Sequence, residues 1–182
     1  GVRTKSLPEP DDEFARSVSP DDDMEGLKLK LRQELEADVA QRANRVVEEL
    51  LFRQIIEVNP FEVPSSMVEM VIGQRLKNAS QQYPNQDFDQ DEFAQAARPS
   101  AEYGVKREYV IQEIIKKEQL EVEQAEIEAK IEEFAGQVGK SIDEIRKDFR
   151  SPEAAGRLGS LILEEKTVKF LMENNDIQEV EE

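Results

Sequence analysis

The residue types on which most catalytic sites depend are missing from this sequence. Its 182 residues include no histidine and no cysteine, which excludes an imidazole base, a thiol nucleophile, a disulfide and any metal site ligated by either residue. Carboxylates are abundant instead, and among 41 acidic residues no pair stands out by its spacing as an acid and base couple. We therefore expect neither an enzyme nor a cofactor, and the lack of cysteine suits a reducing compartment.

Two acidic clusters are the strongest candidates for a metal site. Residues 11–14 read DDEF and residues 21–24 read DDDM, and carboxylate oxygens are the ligands that Ca²⁺ and Mg²⁺ prefer. Neither cluster has the ligand spacing of a calcium-binding loop. We expect these carboxylates to cap helices or to face solvent, and we predict no metal site.

The charge of the chain restricts its partners. A net charge of −17 repels phosphate backbones, so nucleic acid is not an expected direct partner. No run approaches the roughly 18 apolar residues of a membrane span, and residues 1–14 lack the hydrophobic stretch of a signal peptide. We expect no membrane partner either.

Non-covalent binding is the chemistry that the remaining residues support. Adaptable apolar side chains on short helices, surrounded by charge, suit a surface that holds many different partners. The alternative is that these side chains only hold their own helices together. The candidates fall into two groups on separate predicted hairpins: Phe134, Val138, Ile142, Ile145 and Phe149 on the second, and Met67, Met70, Val71, Phe88 and Phe93 on the first.

The elements that position these groups are helices. Prolines at 8, 10 and 20 predict an extended linker over residues 1–20, and the helical domain is predicted over residues 21–182. Its first helix, from about 21 to 58, would be roughly 57 Å long at 1.5 Å per residue. An apolar stripe follows one of its faces, at Leu27, Leu31, Leu35, Val39, Ala43, Val46 and Leu50.

Two helical hairpins, or arms, are predicted after this helix. The first covers about residues 65–98 and turns through a polar segment at 83–93, with a further helix starting after Pro99 and Ser100. The second covers about residues 123–150, where Gly139 stops one helix and a Ser141–Glu144 capping box starts the next. Ser151 and Pro152 then begin the last long helix, which returns to the body.

A repeated phrase marks the start of each arm. EVNPFEVPSSMVEMVI at 57–72 matches KKEQLEVEQAEIEAKI at 116–131 in its apolar and acidic positions, and a fainter copy closes the chain at 174–182. We interpret each copy as a short extended segment that crosses the body between two helices. One shared core is then predicted to receive Phe61, Val63, Leu120, Val122, Ile177 and Val180.

These phrases carry a family resemblance. LPEPDDEFA at 7–15, the long helix with its acidic cap, NPFEVPSSMVEMVI and LEVEQAEIEAKIEEFA, in this order, resemble the C-terminal domain of bacterial trigger factor over nearly the whole chain. The resemblance implies an elongated all-α body with two protruding arms that cradles unfolded or nascent polypeptides without ATP. It further implies a cytoplasmic, ribosome-associated chaperone in which apolar residues of the hairpin matching 134–149 contact clients.

The family pattern is incomplete in this sequence. Trigger factors also carry a ribosome-docking domain with a GFRxGxxP-type signature and a peptidyl-prolyl isomerase domain, and neither matches any part of these 182 residues. We therefore interpret the chain as an excised fragment. Ribosome contact is expected only through the missing N-terminal domain, and isomerase activity is not expected of it.

Two alternatives stay open from the sequence. The chain could be the helical domain of a periplasmic parvulin-type chaperone, which a signal sequence in the full-length gene would favour. It could also be an acidic helical scaffold that binds one folded partner with its long helix. Self-association through the exposed stripes is open as well.

Small-angle scattering tests the predicted elongation. A compact globule of this length has a radius of gyration of about 16 Å, and the long first helix alone exceeds the diameter of such a globule. We expect a clearly larger radius. A value near that of the compact globule would contradict projecting arms.

Overall fold

The computed structural model describes residues 11–19, 23–84 and 89–178. Over these residues the secondary structure is helical and contains no strand, so the predicted all-α class is confirmed. The helices are α1 (Asp12–Val18), α2 (Met24–Val58), α3 (Ser65–Gln82), α4 (Gln90–Glu118), α5 (Gln124–Val138), α6 (Ile142–Asp148) and α7 (Pro152–Glu173).

The chain divides into two compact units. The first is Gly1–Glu49 and the second is Leu50–Glu182, so the division falls within α2 and differs from the boundary predicted at residue 20. Within the first unit, the backbone N–H of Met24 donates to the Asp12 carboxylate at 3.0 Å. Because this bond ties α1 to the start of α2, the segment before α2 belongs with that helix rather than standing apart as a linker.

The predicted extended linker is wrong over residues 12–18, which form α1. Asp11 caps this helix by accepting from the backbone N–H of Phe14 at 2.9 Å, and Ala15 is fully buried. The prolines at 10 and 20 lie outside the helix and leave its hydrogen bonds intact. The acidic run at 11–13 therefore starts a helix, and residues 1–10 lie outside the described part of the chain.

Helix α2 is a single uninterrupted helix of 35 residues, as predicted. Asp23 caps it by accepting from the backbone N–H of Gly26 at 2.8 Å, so one of the acidic residues expected to cap does so. Asn59 follows the last turn, and its side-chain amide donates to the carbonyl of Ile55 at 2.9 Å.

The second unit packs around three apolar clusters, and the prediction of one shared core is wrong. Val63 packs with the first hairpin and Val122 with the second, in separate clusters. Each extended segment leads directly into a hairpin and packs against the helices that follow it. Ile177 is 43% exposed, and Val180 lies outside the described residues.

The clusters are named here by their position. The first-arm cluster is Val68, Ile72, Ala101 and Val105. The second-arm cluster is Ile131, Ala135, Ile145, Leu158 and Ile162. The junction cluster is Phe52, Ile111 and Leu171, which joins the end of α2 to α4 and α7.

The first arm consists of α3 and α4, and α4 continues through Pro99 instead of starting after it. Proline lacks the N–H of a helical hydrogen bond and normally ends a helix. Here Ala97 packs on the first-arm cluster and Ala101 is one of its members, while Arg98 pairs with Glu69 of α3. Contacts on both sides of Pro99 keep α4 helical through this residue. The periodicity of the sequence alone did not indicate this continuity.

The second arm consists of α5 and α6, packed against α7. Gly139 ends α5 with a φ of 65°, a left-handed conformation that favours glycine. Ser141 and Glu144 form the predicted capping box at α6, and Ser151 caps α7 before Pro152. These boundaries agree with the sequence because each is fixed by a local hydrogen bond.

Two leucine-to-alanine variants test the position of the core. Leu158 is 2% exposed in the second-arm cluster, and Leu50 is 59% exposed on α2. We expect Leu158→Ala to lower the free energy of unfolding by about 2–5 kcal/mol and the matched Leu50→Ala to change it by less than about 0.5 kcal/mol. Urea unfolding followed by circular dichroism measures both, and equal losses would contradict the assigned cluster.

Candidate functional site

The tip of the second arm exposes two of the predicted apolar residues. Val138 is 58% exposed and Ile142 is 39% exposed, on either side of the turn between α5 and α6. Beside them the rings of Phe134 and Phe149 stack at 6.0 Å between centroids. Both rings are half-buried against the second-arm cluster, so each offers one part of its surface to solvent while another part anchors the arm.

Ile145 does not belong to this exposed surface. Its side chain is 6% exposed and forms part of the second-arm cluster, so the prediction that it contacts a bound polypeptide is not compatible with its burial. It faces inward because α6 is a short helix with one packed side. Ile145 holds the hairpin together, which was the alternative interpretation for the whole group.

The first arm presents methionines. Met70 is 72% exposed and Met67 is 36% exposed, whereas Val71 and Phe93 are half-buried against the first-arm cluster. Unbranched methionine side chains adapt to differently shaped partners at low cost. Phe88, the remaining member of the predicted group, lies outside the described residues.

A groove beside Met67 was not predicted from the sequence. It has a volume of about 430 Å³, and the Tyr109 hydroxyl on its edge lies 3.3 Å from the sulfur of Met67. The ring of Phe61 approaches that of Tyr109, with 6.5 Å between centroids. The lining is mainly apolar and includes one acidic and one basic residue: Ile55, Asn59, Phe61, Tyr109, Val110, Glu113, Ile114 and Lys117.

The groove was not evident from the sequence, because the spacing of its apolar residues favoured packed positions. Phe61 was expected in a shared core, and the 42% exposure of Tyr109 was not predicted. The groove forms only where α2, the segment after it and α4 meet. A usable signal was the large aromatic residue placed immediately after Asn59 and Pro60, beyond the end of α2.

Ion pairs fix α6 onto α5 in the second arm. Arg146 of α6 contacts the Glu128 carboxylate of α5 at 2.8 Å and its own neighbour Asp143 at 2.6 Å. The hydrogen bond that Arg146 donates is the main cause that holds the pKa of Glu128 below the usual glutamate range, and the positive charge of Arg146 adds to it. The apolar tip is therefore carried on an arm whose outer face is charged.

Further ion pairs join α5 to α7. Lys166 lies 2.8 Å from the Glu126 carboxylate and donates to the carbonyl oxygen of Glu121 at 2.7 Å. The hydrogen bond from the backbone N–H of Glu123 is the main cause that holds the pKa of Glu126 below its ordinary value. The hydrogen bond from Lys166 lowers this pKa further. Lys130 adds a bridge from α5 to Glu165 of α7 at 2.6 Å.

The described residues contain no cluster of carboxylates arranged to hold a metal ion. The helices within the same ranges also lack any stretch long and apolar enough to cross a membrane. Within the described residues, apolar side chains are exposed at the second-arm tip, at the first-arm methionines and in the groove beside them. These three surfaces are called the apolar patches below.

Comparison with known proteins identifies the family. The sequence model described as "Bacterial trigger factor protein (TF) C-terminus" matches residues 23–173, most of the chain. The chain belongs to this trigger factor family.

The trigger factor of Geobacter metallireducens is 31% identical over 188 residues, covering 98% of this chain and 43% of that protein. The trigger factor of Pelobacter propionicus is 29% identical over 188 residues, with 99% and 43% covered. The chain thus spans less than half the length of these trigger factors.

Solved trigger factor structures share the fold. Trigger factor domains from Thermotoga maritima superpose with a TM-score of 0.59 at 20% identity, covering 73% of this chain and 83% of that one. A second trigger factor structure, described in connection with promiscuous substrate recognition in folding and assembly, gives 0.56 at 22% identity. It covers 93% of this chain and 44% of that one. At these identities the likeness supports the helical fold.

The Glu128–Arg146 pair predicts a pH-dependent effect on stability. Because the pKa of Glu128 is lowered in the folded state, its contribution is complete above the usual glutamate pKa of about 4.3 and is lost as pH falls through the lower folded value. We expect Glu128→Gln to lower the urea midpoint at pH 7. The difference from the unmodified chain should close towards pH 3.

The matched control for this pair is Glu62→Gln, which removes an exposed carboxylate from the extended segment before α3. Both variants change the net charge equally, so relief of general repulsion cancels between them. A Glu128→Gln effect that stays constant from pH 7 to pH 3 would show that the ion pair is not its cause.

Proposed function

We propose that this chain is the polypeptide-holding module of a trigger factor chaperone and acts without ATP. It binds unfolded or nascent polypeptides through the apolar patches. The observation that carries the proposal is the exposure of Met70, Val138 and Tyr109 on a strongly acidic chain of this family. Exposed apolar patches that are rimmed by polar and charged residues are typical of surfaces that bind other polypeptides.

The arrangement of the patches suits clients that have no fixed shape. Met67 and Met70 lie on the first arm and Val138 and Ile142 on the second, so the patches are separated along the chain and carried on different helices. An extended polypeptide can contact several of them at once, and linked weak contacts add avidity. A folded partner would require one continuous complementary surface, which supports a chaperone over the scaffold alternative.

The expected affinity of each patch is moderate. Burying roughly 400 Å² of apolar surface at about 25 cal/mol per Å² gives a gross gain of about 10 kcal/mol. Association and ordering oppose this by about 4–15 kcal/mol. The difference between this gain and this cost corresponds to weak, reversible binding, with a Kd in the micromolar range or above for a single patch. Release at this strength needs no nucleotide.

The remaining functions expected of the family belong to the parts of its members that this chain does not span. Ribosome docking and prolyl isomerisation would require those parts, and we propose no catalytic activity for residues 1–182. A cytoplasmic location follows from the same proposal. Membership of the trigger factor family disfavours the periplasmic parvulin alternative.

A holding assay tests the proposal with matched variants. A denatured globular protein is diluted into buffer with and without the chain, light scattering follows aggregation, and fluorescence titration against a permanently unfolded protein gives Kd. We expect the unmodified chain to slow aggregation. Val138→Ser with Ile142→Ser should raise Kd by about thirtyfold, because each loses roughly 1 kcal/mol of apolar burial and the two losses sum to about 2 kcal/mol.

The control is Leu50→Ser with Val58→Ser, which removes two side chains that are 59% and 68% exposed but lie outside the apolar patches. It should leave Kd unchanged within about twofold, as expected for surface changes away from a binding site. No binding by the unmodified chain would overturn the proposed function. Equal weakening by both variants would show that binding is not localised to the second-arm tip.

A further inference from the structure

Four residues of α5 form a line that runs along the second arm to its tip. Glu126, Lys130, Phe134 and Val138 are spaced by four residues, so each side chain neighbours the next on the helix surface. The first two are charged and the last two are apolar. Val138 ends the line and is 58% exposed at the second-arm tip. These four residues are called the α5 line.

Lys130 occupies the point at which the α5 line changes from charged to apolar. Its side chain is 12% exposed, and its ammonium lies 2.8 Å from the Glu133 carboxylate and 2.6 Å from the Glu165 carboxylate of α7. Burial lowers the pKa of Lys130, but the hydrogen bonds to Glu133 and Glu165 outweigh this effect, so the pKa lies above the usual lysine value. Lys130 is therefore a cation whose position is fixed from two sides.

The same ammonium lies over the ring of Phe134. The distance from the Lys130 nitrogen to the ring centre is 5.6 Å, within the range of about 6 Å at which a cation attracts the face of an aromatic ring. Phe134 also stacks with Phe149, with 6.0 Å between ring centres and 20° between ring planes. The ring is thus held by a cation of its own helix and by an aromatic ring that follows α6.

We propose that Lys130 is a positioning residue for polypeptide binding at the second-arm tip. Glu165 of α7 fixes the ammonium of Lys130, and the ammonium fixes the ring of Phe134. This ring and that of Phe149 then form the surface beside which Val138 meets a bound polypeptide. The inference rests on the proposed function and gives a charged residue of the arm a part in apolar binding.

A fixed ring favours binding because it is ordered before the polypeptide arrives. A half-buried aromatic side chain that moves between orientations must be ordered when a polypeptide packs on it, and this ordering opposes association. Lys130 orders the ring of Phe134 in the free protein. Because the lysine side chain is nearly buried, salt and water screen its contacts less than they screen an exposed ion pair.

An adjacent residue of α7 provides the matched control. Glu164 pairs with Arg107 of α4 at 2.6 Å, and Arg107 lies over the ring of Phe52 in the junction cluster. Glu164 therefore makes the same kind of interhelical pair as Glu165, but at the junction instead of the second arm. Glu164→Gln and Glu165→Gln change the net charge equally, and only the second should weaken binding at the tip.

Fluorescence titration of the complete chain against a permanently unfolded protein measures the effect on binding. Lys130→Met nearly keeps the length of the side chain but removes its charge, and it should raise Kd about fivefold. Lys130→Arg keeps the cation and should stay within about twofold of the unmodified chain. Glu165→Gln should raise Kd about threefold, because a neutral amide accepts a weaker hydrogen bond than a carboxylate. Glu164→Gln should leave Kd unchanged.

NMR relaxation of isotope-labelled phenylalanine rings gives a readout that requires no bound polypeptide. The chain contains eight phenylalanines, and Phe134→Leu identifies the Phe134 signal by its loss. We expect faster motion of this ring in Lys130→Met and restored order in Lys130→Arg. Urea unfolding of each variant shows whether a raised Kd follows from lost stability instead, a result that would count against positioning.

Binding by the unmodified chain that Lys130→Met leaves intact overturns this inference alone. Equal weakening by Lys130→Met and Lys130→Arg also overturns it, since the loss would then come from packing rather than from the charge. A raised Kd with unchanged motion of the Phe134 ring excludes positioning through that ring. If the unmodified chain binds no unfolded protein, the proposed function fails and the binding role of Lys130 fails with it, whereas the ring motion still shows whether Lys130 holds Phe134.

Discussion

The second unit depends on the burial of Phe52. Its ring is completely enclosed in the junction cluster with Ile111 and Leu171, so the end of α2, the C-terminal part of α4 and the end of α7 are fixed to one another. The guanidinium of Arg107 lies 4.5 Å from the centre of the same ring and pairs with Glu164 at 2.6 Å. Apolar burial and a cation over the aromatic face thus act at one point. Both arms start from helices that this contact holds in place.

Separate clusters give each arm a core of its own. Val63 and Val122 pack into different arms although they occupy matching positions in the repeated phrase. An arm with its own small core can keep its internal structure while its surface exposes apolar side chains. Exposure of this kind normally favours aggregation, and the charged residues that surround the patches, such as Glu113 and Lys117 at the groove, oppose it. Apolar and charged side chains therefore lie at short range from one another on the surface.

Features set by neighbouring residues could be predicted from the sequence, whereas features set by distant contacts could not. The cap at Ser141 and the left-handed Gly139 depend on local hydrogen bonds and on backbone conformation, and both were found at the predicted positions. Continuity of α4 through Pro99 depends on packing against α3, which is not visible in the order of residues. The same holds for the groove at Tyr109, since its walls come from separate helices. Of the predicted apolar groups, Val138 and Met70 are exposed and Ile145 is buried, a distinction that requires the position of each neighbouring helix.

The exposure of Met70 has a consequence for oxidative stress. The chain contains four methionines and no cysteine, so thioether sulfur is its only site for reversible two-electron oxidation by peroxide. At 72% exposure, Met70 is open to solvent and can be converted to a polar sulfoxide while the helix beneath it stays packed through Val68 and Ile72. Oxidation would then replace apolar surface on the first arm with a polar sulfoxide without unfolding the arm, and a sulfoxide reductase would restore the methionine.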